Sequence, residues 1–133
     1  MPNTQATCIP PVEDFFDRFV TAFASFDAAN VAELFATPGV ALGRDGSIIA
    51  LSTREDVLRY YQAALDHYRG NGCVSCQWLD LQVIDTGAKS ALASVTWHLL
   101  RGDSSVLTSW RQSYSLSLTK DGPKIFASAM HAD

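Results

Sequence analysis

The sequence is poor in basic residues and has no long apolar run. Lys and Arg total 10 against 14 Asp and Glu, which gives a net charge of −4. It therefore lacks the basic stripe with which proteins hold nucleic-acid phosphates. No apolar stretch approaches the roughly 20 residues that a membrane-spanning helix needs. The first eleven residues lack the basic and apolar segments of a signal peptide. We expect no nucleic-acid partner, no membrane partner and a cytoplasmic location.

Motifs for nucleotide and metal chemistry are also missing. The sequence contains no glycine-rich phosphate loop, no Gly-x-Ser-x-Gly motif, and no His and carboxylate cluster at metal-ligand spacing. We therefore expect neither a metal nor a cofactor. Only three histidines are present, which leaves few candidates for acid–base chemistry near neutral pH.

Cysteine occurs three times, and Cys73 and Cys76 form a Cys-x-x-Cys motif. Such a pair can be a redox centre or half of a zinc site. Here it opens a predicted strand, where residues three apart point to opposite faces with Cα atoms about 10 Å apart. A disulfide needs Cα atoms within about 7 Å, and no second motif completes a zinc site. We expect the pair to be structural.

A chain of 133 residues is typical of one domain with one core. We expect residues 1–10, which include Cys8, to be a flexible leader and residues 11–133 to be the domain. The first helix is predicted to begin at Pro10-Pro11. Its apolar stripe, at spacings of three and four, should face the core. The stripe consists of Val12, Phe15, Phe16, Phe19, Val20, Phe23 and Phe26.

Two further helices are indicated by capping residues. Asp27 is a good N-cap for a short helix over Ala28–Ala36. Ser52 and Glu55 fit a capping box for a third helix that continues to about Arg69.

The strands are predicted from alternation and turn residues. Two short strands, 40–43 and 47–51, flank an Asp-Gly turn. A longer strand, 73–84, should place Leu79, Leu81 and Val83 on one face and Trp78, Asp80 and Gln82 on the other. A long hairpin with arms 89–100 and 105–118 and a last strand, 124–131, complete the chain. Helices followed by strands predict an α+β fold, with the helices packed on one face of a strongly curved, mostly antiparallel sheet.

This order of elements resembles the NTF2-like (cystatin-like α+β cone) superfamily, in its SnoaL-like branch. Three stretches carry the resemblance: residues 26–36 between the first two helices, residues 45–57 leading into the third, and the long hairpin followed by Lys124-Ile125-Phe126 and His131. The resemblance implies a conical pocket between the helices and the curved sheet. It also implies a homodimer built on the outer face of that sheet.

Ketosteroid isomerase-like members of this superfamily use a Tyr on the first helix, an Asp base near the first strand and a second acid on the sheet. An ungapped comparison places Phe19 at the Tyr position and Leu42 or Gly43 at the base position. No acidic residue occurs in 90–100 or 104–118. The isomerase residues are therefore absent.

Three residues are candidates for catalysis. His98 follows Trp97, so alternation sends it to the outer face, where it would be a dimer-interface histidine rather than an acid or base. A one-residue shift in register would instead bring it into the pocket. His131 ends the last strand near the rim and is either catalytic or structural. Asp45 lies nearest the missing base position, but Asp is also the expected residue of that turn.

Polar groups among apolar walls are what a small-molecule site needs. The candidates for ligand binding are Phe19, Phe23, Tyr61, Trp97, Thr108, Trp110, Gln112 and Tyr114. Each could equally be a core residue. Three functions remain open: binding of a small, largely apolar or aromatic molecule, acid–base catalysis on such a molecule (isomerisation, cyclisation or dehydration), and a dimeric interaction module without a ligand.

Overall fold

The computed structural model describes the backbone of residues 4–132 and the side chains of residues 9–132. Within these described residues, three helices precede or interrupt six strands, which confirms the predicted α+β class. The elements in chain order are α1 Thr4–Ala24, α2 Ala28–Ala32, β1 Phe35–Leu42, β2 Ile48–Leu51, α3 Arg54–Gly70, β3 Ser75–Asp85, β4 Ser90–Leu100, β5 Val106–Thr119 and β6 Gly122–Met130.

One six-stranded sheet has the strand order β2-β1-β6-β5-β4-β3. β1 pairs with β6 in parallel, and all other neighbours are antiparallel. The apolar stripe of α1 and the apolar face of α3 pack on the inner face of this sheet and form one core with β3, β4 and β5. None of the helices described is both long and apolar enough to span a membrane.

The first helix begins earlier than predicted. α1 begins at Thr4 and contains Pro10 and Pro11 in its interior, whereas the sequence placed the start at these prolines. Proline fixes φ near the helical value, but inside a helix it removes a backbone hydrogen bond and its ring clashes with the carbonyl four residues earlier, which is why the sequence pattern predicted a start at these residues. Residues 1–3 of the predicted leader lie outside the described residues, and its flexibility stays a prediction. Phe15 and Phe16 are fully buried, as the stripe predicted.

The boundary between α2 and β1 was predicted wrongly. α2 ends at Ala32 rather than Ala36, and β1 begins at Phe35 rather than Val40. Phe35 pairs with Ile125 of β6, so a strand from the far end of the chain overrides the local helical pattern. The predicted cap of α2 is confirmed, because the Asp27 side chain accepts a hydrogen bond from the Ala29 amide.

The capping box of α3 lies one residue later than predicted. Thr53, not Ser52, is the N-cap, and its hydroxyl accepts from the Asp56 amide at 3.2 Å. The Asp56 carboxylate, not Glu55, accepts in return from the Thr53 amide at 3.1 Å and from the Ser52 amide at 3.0 Å. The carboxylate of Asp56 thus satisfies two amides that the helix itself cannot pair.

A bulge in β3 reverses the predicted faces of its first half. Asp80 has φ 55°, and the pairing with β4 shifts between Leu79 and Gln82. The extra residue changes the parity of the alternation. As a result Trp78 pairs with Trp97 and packs against the core, whereas the sequence had placed it on the outer face.

The long hairpin forms as predicted, with alternate residues of β4 buried from Ala91 to Leu99. The prediction for the Cys-x-x-Cys pair is wrong in its geometry, because β3 begins at Ser75 and leaves Cys73 ahead of the strand. Cys73 and Cys76 are both buried in the same core rather than on opposite faces. Both thiols are free.

Candidate functional site

A cavity of about 60 Å³ lies between α1, α3 and the inner face of β3, β4, β5 and β6. Six of the predicted ligand-binding residues line it. They are Phe19, Phe23, Tyr61, Trp97, Trp110 and Tyr114. The helical spacing of Phe19 and Phe23 and the strand alternation of the other aromatic residues bring these rings to one place.

Two predicted residues do not line the cavity. Gln112 is buried beside it, and its carbonyl oxygen accepts a hydrogen bond from the Trp110 indole at 2.8 Å. It therefore orients Trp110 instead of facing a ligand. Thr108 pairs with Leu99 near the end of the hairpin and is half-buried.

Seven residues that line the cavity were not predicted from the sequence. Three of them follow from the helical period of α3, since Ala64, Leu65 and Tyr68 come three, four and seven residues after Tyr61 and share its helical face. Cys76 lies two residues before Trp78 on the inner face of β3, and the unseen bulge hid this relation. The full set missed is Tyr60, Ala64, Leu65, Tyr68, Cys76, Leu99 and Met130.

Aromatic rings pack tightly around the cavity. The Phe19 ring lies 5.3 Å from Trp97 and 6.3 Å from Tyr114, measured between centroids. At the other end, Tyr68 stacks on Trp110 at 5.9 Å with an interplanar angle of 19°. Tyr68 and Trp110 both line the cavity and are half-buried. This Tyr68–Trp110 stack joins α3 to β5.

Tyrosine hydroxyls and one thiol are the ionisable groups of the described cavity walls. The Trp97 indole donates to the Tyr114 hydroxyl at 2.7 Å. Burial raises the pKa of Tyr114. Burial also raises the pKa of Tyr61 well above its usual value, and the nearby Tyr114 hydroxyl adds to that shift. Burial, and then the neighbouring Cys73, raise the pKa of Cys76 to about 12. All three groups are therefore neutral at physiological pH.

The three candidates for catalysis lie away from the cavity. The Asp45 carboxylate is exposed in the β1–β2 turn, where it accepts from the Ser47 amide at 2.9 Å. Hydrogen bonds from Ser47 lower the pKa of Asp45. This arrangement fits the structural role of a turn residue.

Both histidine candidates lie on the outer face of the sheet. The Gln77 amide lies 3.4 Å from His98 Nδ1, and Trp97 beside it is buried on the inner face. His131 Nε2 lies 2.7 Å from the Ser113 hydroxyl, which in turn lies 2.6 Å from the Ser94 hydroxyl. The structure therefore does not bring Asp45, His98 and His131 together.

No group of three or more potential metal ligands is found among the described side chains. Cys73 instead donates its thiol hydrogen to the Ser75 carbonyl at 3.3 Å. The cavity offers shape, apolar contact and hydroxyl hydrogen bonds.

Several solved structures share this fold. A Novosphingobium aromaticivorans NTF2-like protein with a cystatin-like fold superposes with a TM-score of 0.76 at 13% identity, covering 97% of this chain and 84% of that one. A dehydratase candidate of the NTF2-like family from Streptomyces avermitilis gives 0.71 at 20% identity, over 96% and 97%. A ketosteroid isomerase-like protein from Erwinia carotovora atroseptica gives 0.68 at 14%, over 93% and 95%. Identities this low show a common fold and no more.

No curated protein matches the sequence. The profile of a protein family, described as NTF2-like protein (DUF6841), matches residues 9–133. That match spans every strand of the sheet and the part of α1 that lines the cavity. The chain therefore belongs to this NTF2-like family.

Proposed function

We propose that the protein binds a small, largely apolar or aromatic molecule in the cavity between α1, α3 and the sheet, without transforming it. The observation that carries this proposal is the composition of the described cavity walls. They are built from aromatic and aliphatic side chains and contain no carboxylate and no imidazole. Such a wall favours an apolar ligand by excluding water from both surfaces.

Acid–base catalysis has weaker support. A general acid or base needs a pKa near the working pH and must reach its substrate. Asp45, His98 and His131 do not line the cavity, and the groups that do line it have raised pKa values. The names dehydratase and ketosteroid isomerase-like describe two of the similar structures, and at identities of 20% and 14% they do not assign catalysis to this chain. The SnoaL-like branch and the cytoplasmic location stay predictions.

The volume of the cavity sets a condition on binding. Its 60 Å³ is less than the roughly 150 Å³ of an engineered apolar cavity that holds benzene. Binding of an aromatic ligand therefore requires the walls to move apart, and we expect the Tyr68–Trp110 stack between α3 and β5 to separate. If it does not separate, the cavity is simply a gap in the core, and the interaction module becomes the better hypothesis.

The test compares two half-buried tryptophans, of which only Trp110 lines the cavity. Toluene and naphthalene would be titrated into the wild type, Trp110→Ala and Trp78→Ala, with binding followed by calorimetry and unfolding by urea. We expect binding by the wild type and by Trp78→Ala, and binding at least about tenfold weaker in Trp110→Ala, because one wall of the site is lost.

The stability measurements separate binding from folding. Both substitutions remove a half-buried ring, so both should lower the free energy of unfolding by a similar amount, on the order of 2 kcal/mol. The proposal fails if the folded wild type binds neither compound, or if both variants lose binding in proportion to their loss of stability.

A further inference from the structure

Two hydroxyl groups at the cavity carry hydrogens that bond to no described residue. The Tyr114 oxygen accepts from the Trp97 indole at 2.7 Å, and indole nitrogen can only donate. The Tyr114 hydroxyl must therefore direct its own hydrogen elsewhere. No acceptor among the described residues lies within hydrogen-bonding reach of it, although Tyr114 is only 2% exposed.

Tyr61 offers a second hydroxyl from the other side of the cavity, and this residue is half-buried rather than enclosed. It lines the cavity on α3, and its hydroxyl makes no hydrogen bond with a residue that the structure describes. The rings of Tyr61 and Tyr114 both pack against Phe19, with centroids 6.5 Å and 6.3 Å from it. The Tyr114 hydroxyl is also close enough to raise the pKa of Tyr61. Two donors thus approach one apolar space from α3 and from β5.

Buried donors without acceptors are costly, and native proteins rarely leave them so. A ligand that supplies an acceptor oxygen removes that cost, whereas a hydrocarbon of the same shape leaves it in place. A charged acceptor is disfavoured, because the described walls contain no cation to balance it. The chemistry of the site therefore selects a neutral acceptor on an apolar or aromatic body.

We infer that the ligand of this cavity is a small neutral carbonyl compound whose oxygen accepts hydrogen bonds from the Tyr114 and Tyr61 hydroxyls. This inference rests on the proposed binding function and names its ligand class. The apolar part of the molecule lies among Phe19, Phe23 and Trp110, and the carbonyl oxygen lies toward Trp97, whose indole fixes the Tyr114 hydroxyl.

Acetophenone and α-methylstyrene make a matched pair of probes, since they differ only in a C=O against a C=CH₂ group. Both would be titrated by calorimetry into the wild type, Tyr61→Phe and Ser115→Ala. Ser115 is half-buried, follows Tyr114 on β5 and does not line the cavity, because neighbouring residues of a strand point to opposite faces. Ser115→Ala is therefore the control for loss of a hydroxyl.

We expect acetophenone to bind the wild type about tenfold more tightly than α-methylstyrene, the ratio that one well-made hydrogen bond can supply. Tyr61→Phe should reduce that preference at least about threefold, and Ser115→Ala should leave it unchanged. Tyr114→Phe provides a second reading if it remains folded by circular dichroism, and it should also reduce the preference.

The outcomes separate this inference from the proposed function. Equal affinity for the two probes, or an unchanged preference in Tyr61→Phe, would overturn the carbonyl ligand and leave apolar binding intact. Absence of binding by either probe to the folded wild type would overturn both.

Discussion

At the scale of single residues, the face of the sheet on which Trp78 lies could not be predicted from the sequence. Alternation alone placed it on the outer face, and one left-handed residue, Asp80, moved it to the inner face. The alternation of apolar residues does not reveal a bulge of this kind, because predicting faces from alternation assumes regular strand pairing. Beyond the bulge, Val83 is buried as predicted, since β3 regains its alternation.

Cys76 gives a prediction about pH. Its pKa in the folded protein is about 12, raised from 9.0 by burial. Above pH 9 the folded state therefore keeps the thiol proton of Cys76, whereas the unfolded state loses it. The contribution of the buried neutral thiol to the free energy of unfolding is complete below pH 9 and is lost as the pH rises toward 12. Relative to Cys76→Ala, the wild type should lose about 1.4 kcal/mol of unfolding free energy per pH unit above pH 9.

Urea unfolding of both proteins between pH 7 and pH 11 is the measurement. Tyrosines titrate in the same range but are common to both proteins, and their contributions largely cancel, since the charge of Cys76 raises the pKa of Tyr114 less than burial does. If the free energies of unfolding of the wild type and of Cys76→Ala change in parallel up to pH 11, the Cys76 thiol is not buried as described.

At the scale of elements, the helices and the long hairpin could be predicted because their signals are local. Apolar residues at helical spacing and alternation along β4 and β5 follow from neighbours in sequence. The end of α2 could not be predicted, because β1 takes its conformation from pairing with β6. Non-local pairing of this kind leaves no trace in the nearby sequence.

The start of α3 gives a prediction about its N-cap, which is Thr53 in the structure and was predicted to be Ser52. Thr53→Ala should destabilise the protein by about 1 kcal/mol, because the side chain of the N-cap accepts from the Asp56 amide. Ser52→Ala should cost much less, since no described contact uses the Ser52 hydroxyl, and its amide bond to Asp56 survives the change.

Urea midpoints of the two variants decide between the observed cap and the one predicted from sequence. A larger loss in Ser52→Ala than in Thr53→Ala would mean that Ser52 and Glu55 form the cap in solution.

At the scale of the whole molecule, the sequence anticipated most of the aromatic wall but not the size of the cavity. Tyr61, Trp97 and Tyr114 could be predicted to face inward from helical and strand periods. The volume between them depends on how the rings of Tyr68 and Trp110 meet across α3 and β5. That contact joins two distant elements, and side-chain packing at that level is not readable from spacing.

The outer face of the sheet leads to a prediction about assembly. Val40, Leu42 and Ile48 are exposed by 39%, 38% and 76%, and the pairing of β1 with β2 brings Leu42 next to Ile48. We propose that this face forms a homodimer, because apolar side chains gathered on one surface are stabilised by burial against a second copy.

Light scattering should then give twice the chain mass of 14.5 kDa. Leu42→Asp should give the single mass, because it places a charge in the interface. Val74→Asp changes an exposed residue outside the sheet and should remain dimeric. A wild type of 14.5 kDa at high micromolar concentration would contradict the proposal.

The strand order has a consequence for how the protein is made. β1 and β2 leave the ribosome early, yet β1 is joined to the rest of the sheet through β6, the last strand. Until β6 emerges, the first hairpin can rest only on the helices, and the meander of β3, β4 and β5 can pair on its own. Met130 of β6 also borders the cavity. Synthesis of the last strand therefore joins the two parts of the sheet and closes the cavity in the same event.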